Sequence, residues 1–394
     1  MKIMILAPGS WVHTRRLLNL LIKMGQEVIF VDKANPRNDK IEQFKFLPYP
    51  NSRGIRFFLW LGRPISKRIA YWTILLQLHW IWRQSKADLV HLYWVDKRAY
   101  ESVQAKLHPL VLSVLGSDIN KFIVSDDIFP EPSQEDTKKI GKVLAKADLV
   151  LVDSKEMIAK CQYLSGGKAK VRFLPVGIDT KQFATDYSDK GKLWRNKLQI
   201  EAQAIVMVSI RALNPIYNHH LILQAYSEAL PYFKTPTYLI LKEFNAFSSS
   251  YTRELCDQIK MLGINANIRW IHEPIDDYEM PILYALADLI INFPAYDAFP
   301  VSFVEAAASA RPVISCSLPA YQDTFASKYF RMTNANTVKD LCDALIEFVN
   351  RDWEPNDNML KEARDWIQEN YDEKVTSQNL LNIYRELAKE AQDM

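Results

Sequence analysis

Cysteine is scarce and scattered in this sequence. The four are Cys161, Cys256, Cys316 and Cys342. No two form a C-x-x-C pair, and no histidine cluster accompanies them. That spacing argues against a zinc site or a disulfide framework, and separate thiols suit a reducing cytoplasm. A dominant charge sign is also missing. The 49 lysines and arginines against 46 acids leave +3, too little by itself to argue for nucleic acid. No apolar run approaches the ~20 residues of a membrane-spanning helix. The opening M-K-I-M-I-L-A-P-G-S has an apolar stretch too short for a signal peptide, and it reads as a buried first strand. Internal repeats and low-complexity segments are absent.

What remains is an ordinary globular chain of 394 residues, 48% hydrophobic and 24% charged. One core stops growing at roughly 250–300 residues, so two domains are expected. Short apolar runs alternate with amphipathic segments. Strands are expected at Lys2–Ala7, Glu27–Asp32, Asp88–Tyr93, Leu110–Gly116, Asp148–Ser154 and Val171–Val176. Helix patterns lie between them, as at His13–Lys23, Ile65–Arg83 and Glu135–Lys146. Asp186–Lys197 is polar and strandless; a second series then runs through Ala204–Arg211, Tyr238–Glu243, Asn267–Ile271, Asp288–Phe293 and Pro312–Cys316. Continuous apolar strands separated by helices indicate parallel sheets covered on both faces. The expected architecture is α/β: two doubly wound, Rossmann-like domains facing a central cleft, with ligand at the carboxyl ends of the strands. The expected domains are 1–184 and 185–371, with a C-terminal helix at about 372–394 packing back on the first.

Asp288–Phe293 is followed by a loop through Phe299, and then Pro300 opens a helix pattern. Proline suits a first helical turn. The amides of Val301, Ser302 and Phe303 at a positive helix start suit a phosphate. Glu305, further along, is placed to accept hydrogen bonds from a ribose diol. Asp297, in the loop, could hold sugar hydroxyls. A capped surface helix with two solvated acids fits the same spacing.

D-A-F-P-V-S-F-V-E-A (Asp297–Ala306) resembles the acidic–x7–acidic signature of the family 4 glycosyltransferases, which have the glycosyltransferase B (GT-B) fold, in the form that begins D-G-T-P. A-R-P-V-I-S-C, L-P-V-G-I-D-T-K-Q-F and A-D-L-V-L-V-D-S are similar to other segments of that family in the same order. The resemblance implies that Asp297 contacts the transferred sugar and Glu305 the nucleotide ribose. Phe299, Pro300, Val301 and Ser302 would complete the donor site. It also implies retention of configuration and no metal or cofactor, with a UDP- or GDP-sugar as donor substrate.

S-I-R-A-L-N-P-I-Y-N-H-H (Ser209–His220) resembles the family's G-R-L-x-x-x-K-G. Arg211, at a strand end, would grip the diphosphate with its fork of donors. The family's lysine falls on Ile216, or on Tyr217 with one residue inserted. Lys242, ending another strand, could supply the missing charge. Ala298 replaces the usual glycine, and Ser309-Ala310 replaces C-G.

On the acceptor side, Gly9, Ser10 and His13 open the first helix and are expected to line the site. L-S-V-L-G-S-D-I-N is similar to a family segment ending W-G-S-D-I, which makes Asp118 a candidate to hold acceptor or sugar, or simply a helix cap. Leu115 stands where some members carry histidine. The stretch Arg53–Lys86 contains seven basic residues, many aromatics and no acid. Arg56, Trp60, Arg63, Lys67, Arg68 and Trp72 suit an anionic membrane surface. A core helix with a solvated basic face, or single-stranded nucleic acid, would use the same residues.

The expectation is therefore a glycosyltransferase acting on a saccharide or lipid-linked acceptor in polysaccharide biosynthesis, cytoplasmic and peripheral on the inner face of the plasma membrane, without nucleic acid. A sugar-nucleotide epimerase and a catalytically degenerate scaffold of the same fold remain open.

Overall fold

A computed structural model describes residues 1–9, 12–33, 44–50, 63–120, 133–243, 249–273 and 275–393. The chain divides into two compact units, Met1–Pro175 with Thr376–Met394, and Val176–Val375.

The first unit is built on a seven-stranded sheet: β1 (Lys2–Leu6), β2 (Glu27–Asp32), β3 (Phe44–Pro48), β4 (Leu89–Tyr93), β5 (Leu110–Val114), β6 (Leu149–Val152) and β7 (Val171–Phe173). All pairings are parallel, in the order β3-β2-β1-β4-β5-β6-β7. β4, β5 and β6 are buried at every residue, because a parallel sheet has a covering layer on each face. The order reverses between β1 and β4, so the crevice at the carboxyl ends of these two strands is this unit's topological switch point. The closing helix, Glu373–Asp393, supplies Leu380, Leu381, Tyr384 and Leu387 to this core. Tyr384 also bonds His91 Nδ1 at 2.5 Å. Burial pushes the His91 pKa down to about 3, so the ring stays neutral.

The second unit holds β8 (Ile205–Ser209), β9 (Thr237–Lys242), β10 (Ile268–Ile271), β11 (Leu289–Asn292), β12 (Val313–Ser315) and β13 (Arg331–Met332), again all parallel, in the order β10-β9-β8-β11-β12-β13. Its switch point lies between β8 and β11. Residues 176–184, placed by the sequence with the first domain, belong here: the Ile178 amide donates to the Tyr371 carbonyl at 3.0 Å, and Phe183 meets Tyr284 edge-on. The polar stretch from Asp186 is not a bare joint but carries a helix, Ser188–Lys197.

Both sheets are α/β and doubly wound, as the alternation of apolar runs implies. β3 and β13 were not expected. β3 is a half-exposed edge strand and β13 is two residues long, so neither leaves a continuous apolar signature.

Candidate active site

In the second unit, β8 and β11 flank the switch point, and the two key side chains follow them. Arg211 lies two residues past β8, and Asp297 lies in the loop after β11. They meet: Arg211 Nη1 is 3.1 Å from Asp297 Oδ2, and Nη2 reaches Oδ1 at 3.4 Å. Both are mostly enclosed, with side-chain exposures of 14% and 13%. Burial opposes the guanidinium charge, but the Asp297 carboxylate and the Tyr217 and Tyr321 hydroxyls outweigh it and hold Arg211 above its usual pKa.

The loop that carries Asp297 is braced on three sides. The Ala295 amide donates to the Ile216 carbonyl at 2.8 Å, the Cys316 thiol donates to the Pro294 carbonyl at 3.2 Å, and Tyr321 Oη donates to Asp297 Oδ2 at 2.9 Å. Asn292, the last residue of β11, donates in turn to Tyr321 Oη at 3.2 Å. An acid anchored by its own chain's next loop keeps one orientation while its other partner moves.

Tyr217 lies against Arg211, with the guanidinium carbon 4.1 Å from the ring centroid. Asn218 has φ +51°, ψ +36° at the start of the helix His219–Ala229, the left-handed conformation that glycine adopts most readily. Of the two positions on which the expected lysine could fall, Tyr217 is the one whose ring meets Arg211.

The helix after Asp297 runs Val301–Ala308, with Pro300 as its cap. The Phe303 amide already donates to the Pro300 carbonyl at 3.0 Å. Of the three amides expected to face a phosphate, that of Phe303 is thus committed within the first turn. The Phe299 ring is buried among Phe303, Tyr321, Phe325 and Tyr371 and forms the wall behind the loop. Glu305 lies one turn further along and accepts from Tyr284 Oη at 2.8 Å.

Lys242 ends β9, beside β8, and is 1% exposed. Burial lowers its pKa from 10.5 to about 7, against the attraction of Asp277 and Glu305. The His219-His220 pair is accounted for locally. His219 is buried and pushed down to about 3, chiefly by desolvation, and His220 Nδ1 lies 2.9 Å from Tyr251 Oη.

In the first unit, Gly9 follows β1, and its amide is committed to Asp32 Oδ2 at 2.8 Å. Asp32 is held by Arg98, which also pairs with Asp96. Gly9 thus offers close approach without a free donor. His13 is half-buried on the helix Val12–Lys23, and Ser10 lies outside the described residues. Asp118 is fully buried, and its oxygens accept from the Val95 and Leu115 amides at 3.0 and 3.1 Å. It ties the loop after β4 to the loop after β5 and so positions backbone there. Trp94, the residue before Val95, has φ +93°, a conformation rare for a bulky side chain.

Of the basic, Trp-rich stretch, Arg56 and Trp60 lie outside the described residues. Arg63 and Lys67 are located only as helix backbone, while Arg68 and Trp72 are exposed on the helix Arg63–Ser85. Among the described residues, no helix is long and apolar enough to cross a membrane.

The sequence did not single out Tyr321, Tyr284, Asn292 or Trp94. Tyr321 lies 24 residues beyond Asp297, across another strand, and no periodicity links the two.

Comparison with known proteins bears on the same segments. The family model for glycosyl transferases group 1 matches residues 191–366, and that for glycosyl transferase 4-like proteins matches residues 2–154. Among proteins of curated function, none matches the sequence. Solved structures do match in fold. HepE from Anabaena, in complex with UDP and glucose, is 19% identical with a TM-score of 0.73, covering 98% of this chain and 100% of that one. A glycosyltransferase from Rickettsia africae is 15% identical with a TM-score of 0.76, covering 98% of each chain. Sucrose-phosphate synthase from Thermosynechococcus elongatus is 15% identical with a TM-score of 0.73, covering 98% and 99%. With both halves matched by family models of one enzyme class, the chain belongs to the glycosyltransferases of the GT-B fold.

Proposed function

We propose that this enzyme moves a sugar from a UDP- or GDP-sugar to a hydroxyl of a saccharide or lipid-linked acceptor, with retention, in cell-surface polysaccharide synthesis. The observation that carries the reading is the enclosed Arg211–Asp297 pair at the switch point between β8 and β11. Both charges face the place where a doubly wound sheet takes its ligand. The donor's diphosphate competes with Asp297 for the Arg211 fork. Asp297, still held by Tyr321, is then released toward the sugar hydroxyls. The Val301 and Ser302 amides add the helix-start charge to the leaving group, and Glu305 takes the ribose diol.

In the transfer, the bond from the anomeric carbon to the diphosphate oxygen breaks, and a bond to the acceptor oxygen forms. Retention brings the acceptor in on the face from which the diphosphate departs, so a diphosphate oxygen is the nearest base for the acceptor proton. The acceptor would approach the ends of β1 and β4. The basic, Trp-rich helix supports peripheral attachment at the inner face of the plasma membrane, where lipid-linked acceptors reside.

Thermal-shift screening against UDP-, GDP-, ADP- and CMP-sugars tests the donor reading. The matching donor at a hundredfold excess over its dissociation constant stabilises by about 2.7 kcal/mol, and Arg211→Ala abolishes that response. Wild-type protein that responds to none of the four sinks the reading.

A further inference from the structure

The helix Arg63–Ser85 is apolar on two opposite sides. Ile74, Leu75 and Leu78 are buried. Trp72, Leu76 and Trp80 point the other way and are 63%, 68% and 63% exposed. Residues four apart advance about 40° around a helix, so these three form one stripe about 12 Å long. A helix that is apolar all round is normally buried all round. Here one side faces the protein and the other has no cover among the described residues.

The charge around the stripe has one sign. Arg68 continues it one turn toward the helix start, Arg83 lies near its other end, and Lys86 follows; all three are exposed. The helix itself has no acid. Helix Lys97–Gln104, which packs against it, has one acid, Glu101. Glu101 is buried and bonded to Tyr49 Oη.

We propose that the stripe Trp72–Leu76–Trp80, with Arg68 and Arg83 at its ends, is the surface by which this protein docks on an anionic lipid bilayer. Tryptophan rings settle at the level of lipid headgroups, leucine reaches the acyl boundary, and arginines meet the anionic headgroups. A second copy of the chain is the poorer occupant. A two-fold contact centred on Leu76 would bring Arg68 against Arg83 of the other copy, like charge against like. The proposal rests on the peripheral attachment argued above and moves its centre toward Trp80, but it is independent of which sugar is transferred.

The test is flotation of the full chain with vesicles of phosphatidylcholine, with and without phosphatidylglycerol. Wild type should float with the anionic vesicles only. Trp72→Ser/Leu76→Ser/Trp80→Ser should stay in the dense fraction, with its melting temperature unchanged because the three side chains are exposed. Arg68→Glu/Arg83→Glu should lower vesicle affinity by more than roughly thirtyfold. Triple-variant protein that floats like wild type would place attachment elsewhere and overturn this face alone. Wild type that floats with neither vesicle overturns attachment altogether. A wild-type dimer that the triple variant converts to monomer, seen by light scattering, assigns the stripe to self-association instead.

Discussion

Lys242→Met should make this protein more stable, and by an amount that fades as the pH rises. The lysine's pKa is 10.5 ordinarily and about 7 in the fold, lowered by burial. Below pH 7 the side chain is charged in both folded and unfolded chains, and the full cost of burying an ammonium is present. Between about 7 and 10.5 the unfolded chain holds a proton that the folded chain has released, so stability climbs with pH. Integrated over that window, the cost is about 4 kcal/mol at pH 7 and about 1 kcal/mol near pH 9.5. Methionine fills a similar volume and carries no charge, so the variant's advantage over wild type should shrink by about 3 kcal/mol across the interval. Every other titrating group cancels in the comparison. In a unit spanning Val176–Val375, that difference is roughly 6–12 °C in melting temperature. Scanning calorimetry of both proteins at the two pH values reads it directly. An advantage that is the same at both, or absent at pH 7, would refute the premise that burial lowers the pKa of Lys242.

Other substitutions separate the parts of the site. Arg211→Ala leaves the Asp297 carboxylate enclosed without its cation and should cost about 3–5 kcal/mol in urea unfolding; adding Asp297→Asn should recover more than half of it, and simple additivity would show that the pair is not coupled. Tyr321→Phe keeps the aromatic packing but removes the hydroxyl between Asp297 and Asn292. It should cost about 1–3 kcal/mol and lower kcat with little change in donor KM, whereas a change in KM alone would mean that the hydroxyl does not position the acid. Glu305→Ala should weaken the nucleoside diphosphate but leave its 2′,3′-dideoxy analogue unaffected in calorimetric titrations, and equal losses would remove Glu305 from the ribose.

The fold was legible because parallel strands covered on both faces must be largely apolar, and β1, β2, β4, β8, β9, β11 and β12 announce themselves that way. Of the four edge strands, β7 and β10 could still be read from their place in the alternation, but β3 and β13 could not, since a strand with one open side needs no continuous apolar run. At the site, the charged residues could be read, because Arg211 follows a strand, Asp297 lies in the strand-to-helix loop and Glu305 lies on the helix after it. Their supports could not. Tyr321 and Tyr284 reach the site from other loops and helices, and a tyrosine in sequence does not disclose whether its hydroxyl meets a carboxylate. For the same reason a motif position does not disclose its packing: Phe299 sits in an aromatic cluster and Asp118 accepts from backbone amides.

Two departures from the family pattern have a common explanation that can be tested. Tyr217, at one of the two positions on which the family's lysine could fall, stacks on Arg211, while Lys242 ends the strand next to β8. A donor diphosphate needs more positive charge than Arg211 alone supplies once Asp297 also claims it. If Lys242 carries the displaced charge, Lys242→Met should weaken nucleoside diphosphate binding by roughly ten- to a hundredfold, the range of one charge-assisted hydrogen bond. Adding Tyr217→Lys should then restore most of the loss. The stacking given up on Arg211 is about 0.5–2 kcal/mol, smaller than the new bond. Tyr217→Lys in the wild-type background should gain less, because Lys242 already answers the diphosphate. Affinities from calorimetric titration of the four proteins decide the matter. A double variant no tighter than Lys242→Met would mean that the two positions do not share one task, and that the buried lysine serves Glu305 and Asp277 rather than the donor.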